Sequence, residues 1–236
     1  MKKLLGLTLA LTLLCALLAV PAGAAFADQE KITHTEAVAG CVELGLLSGY
    51  PDGSYQPTGG ITRAELCKLV CLVLNGGKEP DLSKTSTVTF TDTKGHWAED
   101  YIAWCADKGI VSGMGGGKFA PSDGVTASQA AKILLVALGC DAQKENYTGA
   151  LWAVNVNARA NEVGLYAGLD GIEVGEALTR DSAAQMLWNA LNAAELEYVE
   201  GTGMLNGKEY PKTTLEKKLQ ADGKTPLTLK FDKFGK

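Results

Sequence analysis

Two arginines stand directly after threonines, in the strings Ile61-Thr62-Arg63-Ala64-Glu65 and Leu178-Thr179-Arg180-Asp181. Thr62-x-x-Glu65 and Thr126-x-x-Gln129 fit a capping box, in which the hydroxyl and the later side chain satisfy exposed backbone N–H groups reciprocally, so each threonine opens a helix. Thr179-x-x-Ser182 keeps the cap and loses its partner. A cation in the first turn opposes the helix macrodipole by a few tenths to about 1 kcal/mol. Arginines poorly placed for helix stability, yet beside open N–H groups, point to an anion site, because helix starts and guanidinium groups both favour a carboxylate. The competing structural reading pairs Arg63 with a nearby surface acid, and Arg180 with the adjacent Asp181.

Trp97 and Trp152 read either as core residues on amphipathic helices or as exposed platforms for a ligand. Asp92 reads as a site carboxylate or as the cap of the helix that follows, and His96 as a structural residue at that helix start. Hydrolytic catalysis would need paired carboxylates or a nucleophile with a histidine partner. Glu65 and Asp92 could form such a pair, yet both have structural roles in the pattern, and no Ser-His-Asp order appears; the chain is not expected to be an enzyme. Cys67 and Cys71 fall four apart on one helix face, but His34 and His96 are the only histidines and neither is close in sequence. Neither a metal site nor a cofactor is expected.

The elements that must carry these residues repeat along the chain. Gly45-Leu46-Leu47-Ser48-Gly49, Gly109-Ile110-Val111-Ser112-Gly113 and Gly164-Leu165-Tyr166-Ala167-Gly168 align, and Thr62, Thr126 and Thr179 follow their first glycines at offsets of 17, 17 and 15 residues. Trp97-Ala98 aligns with Trp152-Ala153, where the first copy has Thr33-His34. One supersecondary unit is therefore used three times. Each unit reads as helix, tight loop, helix. In the second copy the first helix is predicted from about His96 to Lys108, stopped by Gly109. The second helices are nearly apolar all round, as in Leu66, Leu69, Val70, Leu72, Val73 and Leu74, and so must be covered on several sides. They are expected to pack as a central bundle with the shorter helices and loops outside.

Lys2 and Lys3, the apolar run Leu4–Val20 and the small-residue stretch ending Ala25-Phe26-Ala27 have the order of an export signal, with cleavage expected after Ala27. Without it the 22 basic and 27 acidic residues become 20 and 27, a net charge of −7. An acidic chain with no Lys/Arg cluster is a poor partner for nucleic acid. No later segment is long and apolar enough to span a bilayer. The five cysteines after the signal, Cys41, Cys67, Cys71, Cys105 and Cys140, read as small buried hydrophobes. The organisation is then a signal over 1–27, repeats over 28–75, 90–140 and 141–193, a linker over 76–89, and a tail over 194–236. In the tail, Leu205-Asn206-Gly207-Lys208 reads as a hairpin turn and Thr228–Phe231 alternates like a strand, giving a short β appendage or a flexible end.

The string Ile61-Thr62-Arg63-Ala64-Glu65, the loop Gly49-Tyr50-Pro51-Asp52-Gly53-Ser54-Tyr55-Gln56-Pro57, and Phe90-Thr91-Asp92 with His96-Trp97-Ala98 resemble the hallmarks of the S-layer homology domain. The resemblance covers about residues 30 to 193. It implies a mainly α fold, a three-lobed pseudo-trimer around a central three-helix bundle, whose inter-lobe grooves bind an acidic, often pyruvylated, secondary cell-wall polysaccharide. It also implies a secreted protein held non-covalently in the cell wall or surface layer of a bacterium. Carried over residue by residue, it places Arg63, Glu65, Thr62, Gly49, Asp92, Trp97, Gly113, Trp152 and Arg180 at ligand-binding positions. Copy two has Ala127 where the arginine belongs, copy one has Thr33 for the aromatic, and copy three lacks the Phe-x-Asp string. One or two competent grooves are therefore expected, with Arg63 foremost. Assembly with other surface-layer proteins and wall-glycan hydrolysis are the alternative functions.

Overall fold

The computed structural model describes residues 25–84, 89–218, 227 and 231. Most of the expected export signal lies outside them. The elements run α1 (Thr35–Glu43), α2 (Arg63–Leu74), α3 (Glu99–Asp107), α4 (Ala127–Ala137), α5 (Trp152–Glu162), α6 (Arg180–Asn192), β1 (Glu195–Leu205) and β2 (Lys208–Lys218). The fold is mainly helical with a small C-terminal sheet, as the sequence indicates. Thr62, Thr126 and Thr179 cap α2, α4 and α6, and the first two caps are complete capping boxes, whereas Thr179 accepts from the Ser182 N–H without one. Gly45, Gly109 and Gly164, just past α1, α3 and α5, hold φ of 74°, 68° and 81°, the left-handed stop that lets a helix end sharply.

The three apolar residues before the capping threonines meet at the centre. Ile61 N–H donates to the Leu178 carbonyl, Leu178 N–H to Val125, and Val125 N–H to Ile61, at 3.2, 2.9 and 3.0 Å. This closed triangle of main-chain bonds joins the starts of the three long helices, with all three side chains buried. Beyond it α4 packs against both α2 and α6. Leu66, Leu135, Met186, Leu187 and Leu191 are fully buried among them.

The short helices lie outside the long ones, in an order that spacing does not give. Each docks on the long helix of the preceding copy: α3 on α2, α5 on α4, and α1 on α6, which closes the ring. A helix apolar all round needs a cover, and a ring lets each unit supply the cover for its neighbour. The closing contact is also polar. The Asp181 carboxylate accepts the N–H groups of Thr33 and His34, both at 3.2 Å, and lies 2.9 Å from His34 Nδ1. Asp181 thus serves the first repeat rather than pairing with Arg180.

Helix α3 begins at Glu99, three residues later than expected. Turns through Thr93–His96 and His96–Glu99 occupy the intervening backbone. Trp97 therefore stands on a turn, 57% exposed, and is not a core residue. The five cysteines among the described residues are free and buried, with Cys71 and Cys105 Sγ atoms 3.5 Å apart between α2 and α3. Burial pushes the thiols of Cys41 and Cys140 up to about 12 and about 11, so they behave as small hydrophobes.

The hairpin turn lies at Asn206 and Gly207, with φ of 51° and 75°, the conformation that suits strand twist. Its base is fixed by the Leu196 N–H donating to the Leu138 carbonyl at 2.7 Å. Of the strand expected at 228–231 only Phe231 is described. It is buried, and its ring packs over Gly77.

Candidate ligand-binding site

The arginines have a structural task that spacing did not reveal. Arg63 Nε donates to the Phe119 carbonyl at 2.9 Å and Nη2 to Ser112 at 3.2 Å, and the guanidinium lies 4.4 Å from the Phe119 ring centroid. Arg180 repeats the pattern: Nε to Tyr55 and Nη2 to Ser48, both at 3.0 Å, over the Tyr50 and Tyr55 rings. Each arginine therefore fastens the loop of the following copy to the long helix of its own. Ala127 makes no such link to the third loop.

The reason given for an anion at these helix starts needs correcting. The first-turn N–H groups are already taken by neighbouring carbonyls: Arg63 N–H by Asp123, Ala64 N–H by Pro121, and Arg180 and Asp181 N–H by Gly59 and Pro57. Helix-start N–H groups are thus spent on joining the copies. Arg63 is also only 4% exposed, so it is no surface partner of an acid, and burial lowers its pKa. Among the described residues, its Nη1 has no hydrogen-bond partner, and the side chain reaches the floor of a groove.

That groove, about 370 Å³, runs between copies. Arg63 comes from α2, Ser112, Gly113 and Met114 from the second loop, Gln129, Lys132 and Ile133 from α4, and Tyr147, Thr148, Gly149 and Trp152 from the start of the third unit. Among the described residues, no acidic side chain lines it. Lys132 Nζ lies 5.8 Å from the centroid of the Trp152 indole, and burial, with Arg63 as a second cause, lowers the lysine's pKa. Gln129 spends Oε1 on the Thr126 N–H at 3.1 Å and turns Nε2 toward Met114. The site thus combines two cations, an indole face and a polar loop, a set suited to an acidic sugar.

Of the expected site residues, the groove collects Arg63, Gly113 and Trp152. Thr62 and Glu65 form a capping box in which Glu65 Oε2 accepts from the Thr62 N–H and hydroxyl at 2.7 and 2.8 Å. Asp92 accepts the N–H groups of Phe119 and Ala120, both at 2.8 Å, which lowers its pKa and holds Ala120 at a φ of 59°. It therefore pins the loop rather than capping the next helix. Gly113 is narrow for steric reasons: a Cβ there would meet the Lys118 carbonyl at 2.7 Å and the Phe90 ring at 2.8 Å. Gly49 is the same in the first copy, against Ser54 and Phe26. Trp97 and Arg180 belong to the pseudo-equivalent position between copies three, one and two, where Lys68 stands for Lys132 and is paired with Glu79 at 3.3 Å.

Two participants escaped the sequence reading. Lys132 was one of many lysines, and only the pairing of Trp152 with α4 singles it out. Phe26-Ala27-Asp28 is the first copy's counterpart of Phe90-Thr91-Asp92. Phe26 packs on Tyr55 at 5.2 Å as Phe90 does on Phe119 at 5.4 Å, and Asp28 accepts the N–H groups of Tyr55 and Gln56. Ala25-Phe26-Ala27 also reads as the end of an export signal, which hid it. Phe26, ahead of the repeat start expected at residue 28, packs with the first copy.

The chain is similar in sequence to bacterial cell-surface proteins. A cell surface protein of Thermoanaerobacter kivui is 27% identical over 87% of this chain and 26% of its own length. A middle cell wall protein of Brevibacillus brevis is 30% identical over 91% of this chain and 20% of its own. A cellulosome-anchoring protein of Acetivibrio thermocellus is 34% identical over 37% of this chain and 20% of its own. The chain thus spans about a quarter or less of the length of these relatives. Residues 25–67 and 89–131, each running from the Phe-x-Asp string through its loop into the first turns of a long helix, match the S-layer homology domain.

Proposed function

We propose that this chain is a non-covalent wall anchor, exported to the bacterial cell surface, that holds on by taking an acidic wall polysaccharide into the groove between Arg63 and Trp152. The observation that carries the reading is local charge. On a chain with more acids than bases, this groove has two cations, no acid and an indole face. The names of the relatives, a cell wall protein and a cellulosome-anchoring protein among them, point to the same role. Residues 141–193 serve as a third S-layer homology copy, since α5 and α6 occupy the remaining third of the ring and Leu178 completes the central triangle. Arg63, Gly113 and Trp152 contact the sugar, with Trp97 and Arg180 forming a weaker second position. Glu65, Thr62, Asp92 and Gly49 act by shaping the loops and helix starts. A pyruvate ketal is the acid that the family resemblance implies.

The test uses the unmodified mature protein. Walls of Brevibacillus brevis would be offered with native polysaccharide, with its carboxyl groups reduced to alcohols, and stripped of polysaccharide. Co-sedimentation is expected with the first alone. Equal retention on reduced or stripped walls would refute the assignment.

A further inference from the structure

The groove's lysine makes no hydrogen bond or ion pair among the described residues, unlike Arg63 and Gln129 beside it. Arg63 has two of its three nitrogens committed to the Phe119 and Ser112 carbonyls, leaving Nη1 to face the groove. A carboxylate presents two oxygens, and a bidentate fork needs two nitrogens of one guanidinium. After these two bonds Arg63 keeps three of its five N–H groups, two on Nη1 and one on Nη2. A second cation on the lining can share an acid group with them. Gln129 has its amide oxygen committed to the helix cap. Lys132, half-buried beside the Trp152 ring, has no hydrogen bond or ion pair among the described residues.

We infer that Lys132 is a ligand-contacting residue, and that this groove alone of the three binds strongly because the acid group of a sugar is shared between Arg63 Nη1 and Lys132 Nζ. The inference rests on the anchoring role proposed above. The pseudo-threefold repeat supplies the comparison. At the second position Lys68 is neutralised by Glu79, which also accepts from the Tyr101 hydroxyl, and Glu65 stands where Gln129 does. At the third position Ala127 replaces the arginine and Gln185 the lysine, with Gln185 Nε2 donating to Asn189 at 2.8 Å. Among the described residues, the first position holds two cations and no acid on its lining. The two cations repel one another, and an anion between them relieves that repulsion.

The experiment measures binding of polysaccharide purified from Brevibacillus brevis walls to the mature protein and to Lys132→Gln, Lys132→Arg and Lys68→Gln, by calorimetry at several salt concentrations. Loss of one charge-assisted contact should weaken Lys132→Gln roughly ten-fold and flatten its salt dependence. Lys132→Arg should stay within about two-fold, because a cation is retained at the same place. Lys68→Gln should bind as the parent does. If Lys132→Gln binds as the parent, or if Lys68→Gln falls as far as Lys132→Gln, the assignment of Lys132 is overturned while the anchoring role stands. If the parent itself does not bind the native polysaccharide, the anchoring role falls and this inference with it. Thermal melts that match the parent's would show that the lysine variants remain folded.

Discussion

Arg63→Ala tests the claim that this arginine is first of all a fastener between copies. The substitution removes two hydrogen bonds from a charged donor, to Phe119 and Ser112, and a cation over the Phe119 ring. Hydrogen bonds to charged groups contribute about 1.5–3 kcal/mol each, and a desolvated cation–π contact up to about 2 kcal/mol. Two effects offset part of this. The Ser112 carbonyl borders the groove and regains water, and a buried charge is relieved of its desolvation. A net loss of about 3 kcal/mol remains, which for a chain of this size lowers the melting temperature by roughly 6–12 °C. Arg180→Ala should cost less, about 1–2 kcal/mol, because its guanidinium is half-exposed and water replaces the bonds it made. Melts followed by circular dichroism, with urea titrations for the free energies, provide the comparison. An Arg63→Ala melt within 2 °C of the parent's, about 1 kcal/mol or less, would refute the fastening role. So would an Arg180→Ala loss as large as that of Arg63→Ala.

Gly113→Ala should destabilise by about 1–3 kcal/mol, since its Cβ would collide with a carbonyl and the Phe90 ring; Gly175→Ala, with open space around it, should be neutral in the same urea titration. Backbone N–H groups lower the carboxyl pKa of Asp28 and Asp92 below the ordinary 3.8. A depressed carboxyl stabilises the fold above its unfolded value and loses that stabilisation as pH falls through the folded value, so the urea midpoint should drop below about pH 4 and drop less in Asp92→Asn. A chain starting at Ala25 should be more stable than one starting at Asp28 by about 1–2 kcal/mol, because only the first keeps Phe26 on Tyr55. Identical denaturation midpoints would show that Phe26 is dispensable.

Local order was legible in the sequence because it rests on short-range chemistry. Thr62, Thr126 and Thr179 announce three helix starts, Gly45, Gly109 and Gly164 three helix stops, and Asn206-Gly207 a hairpin, each through contacts within a few residues. The all-apolar α2, α4 and α6 also declare that they are buried together. Periodicity could not say which short helix covers which long one, since the α1–α6 and α3–α2 contacts join residues far apart in sequence. It could not say where the first-turn N–H groups go, because their acceptors belong to other copies.

Tertiary packing therefore decided the roles of the site residues. Arg63 and Asp92 have the types and spacing of binding groups, but a side chain's free atoms are known only after its neighbours have taken theirs. Arg63 Nη1 has no partner, both Asp92 oxygens accept loop N–H groups, and Lys132 has neither hydrogen bond nor ion pair, among the described residues. Sequence set the repeat, the helix boundaries to within a turn, and the resemblance. The ring, by bringing α2, the second loop, α4 and the start of α5 to one place, set Arg63, Lys132 and Trp152 around one groove.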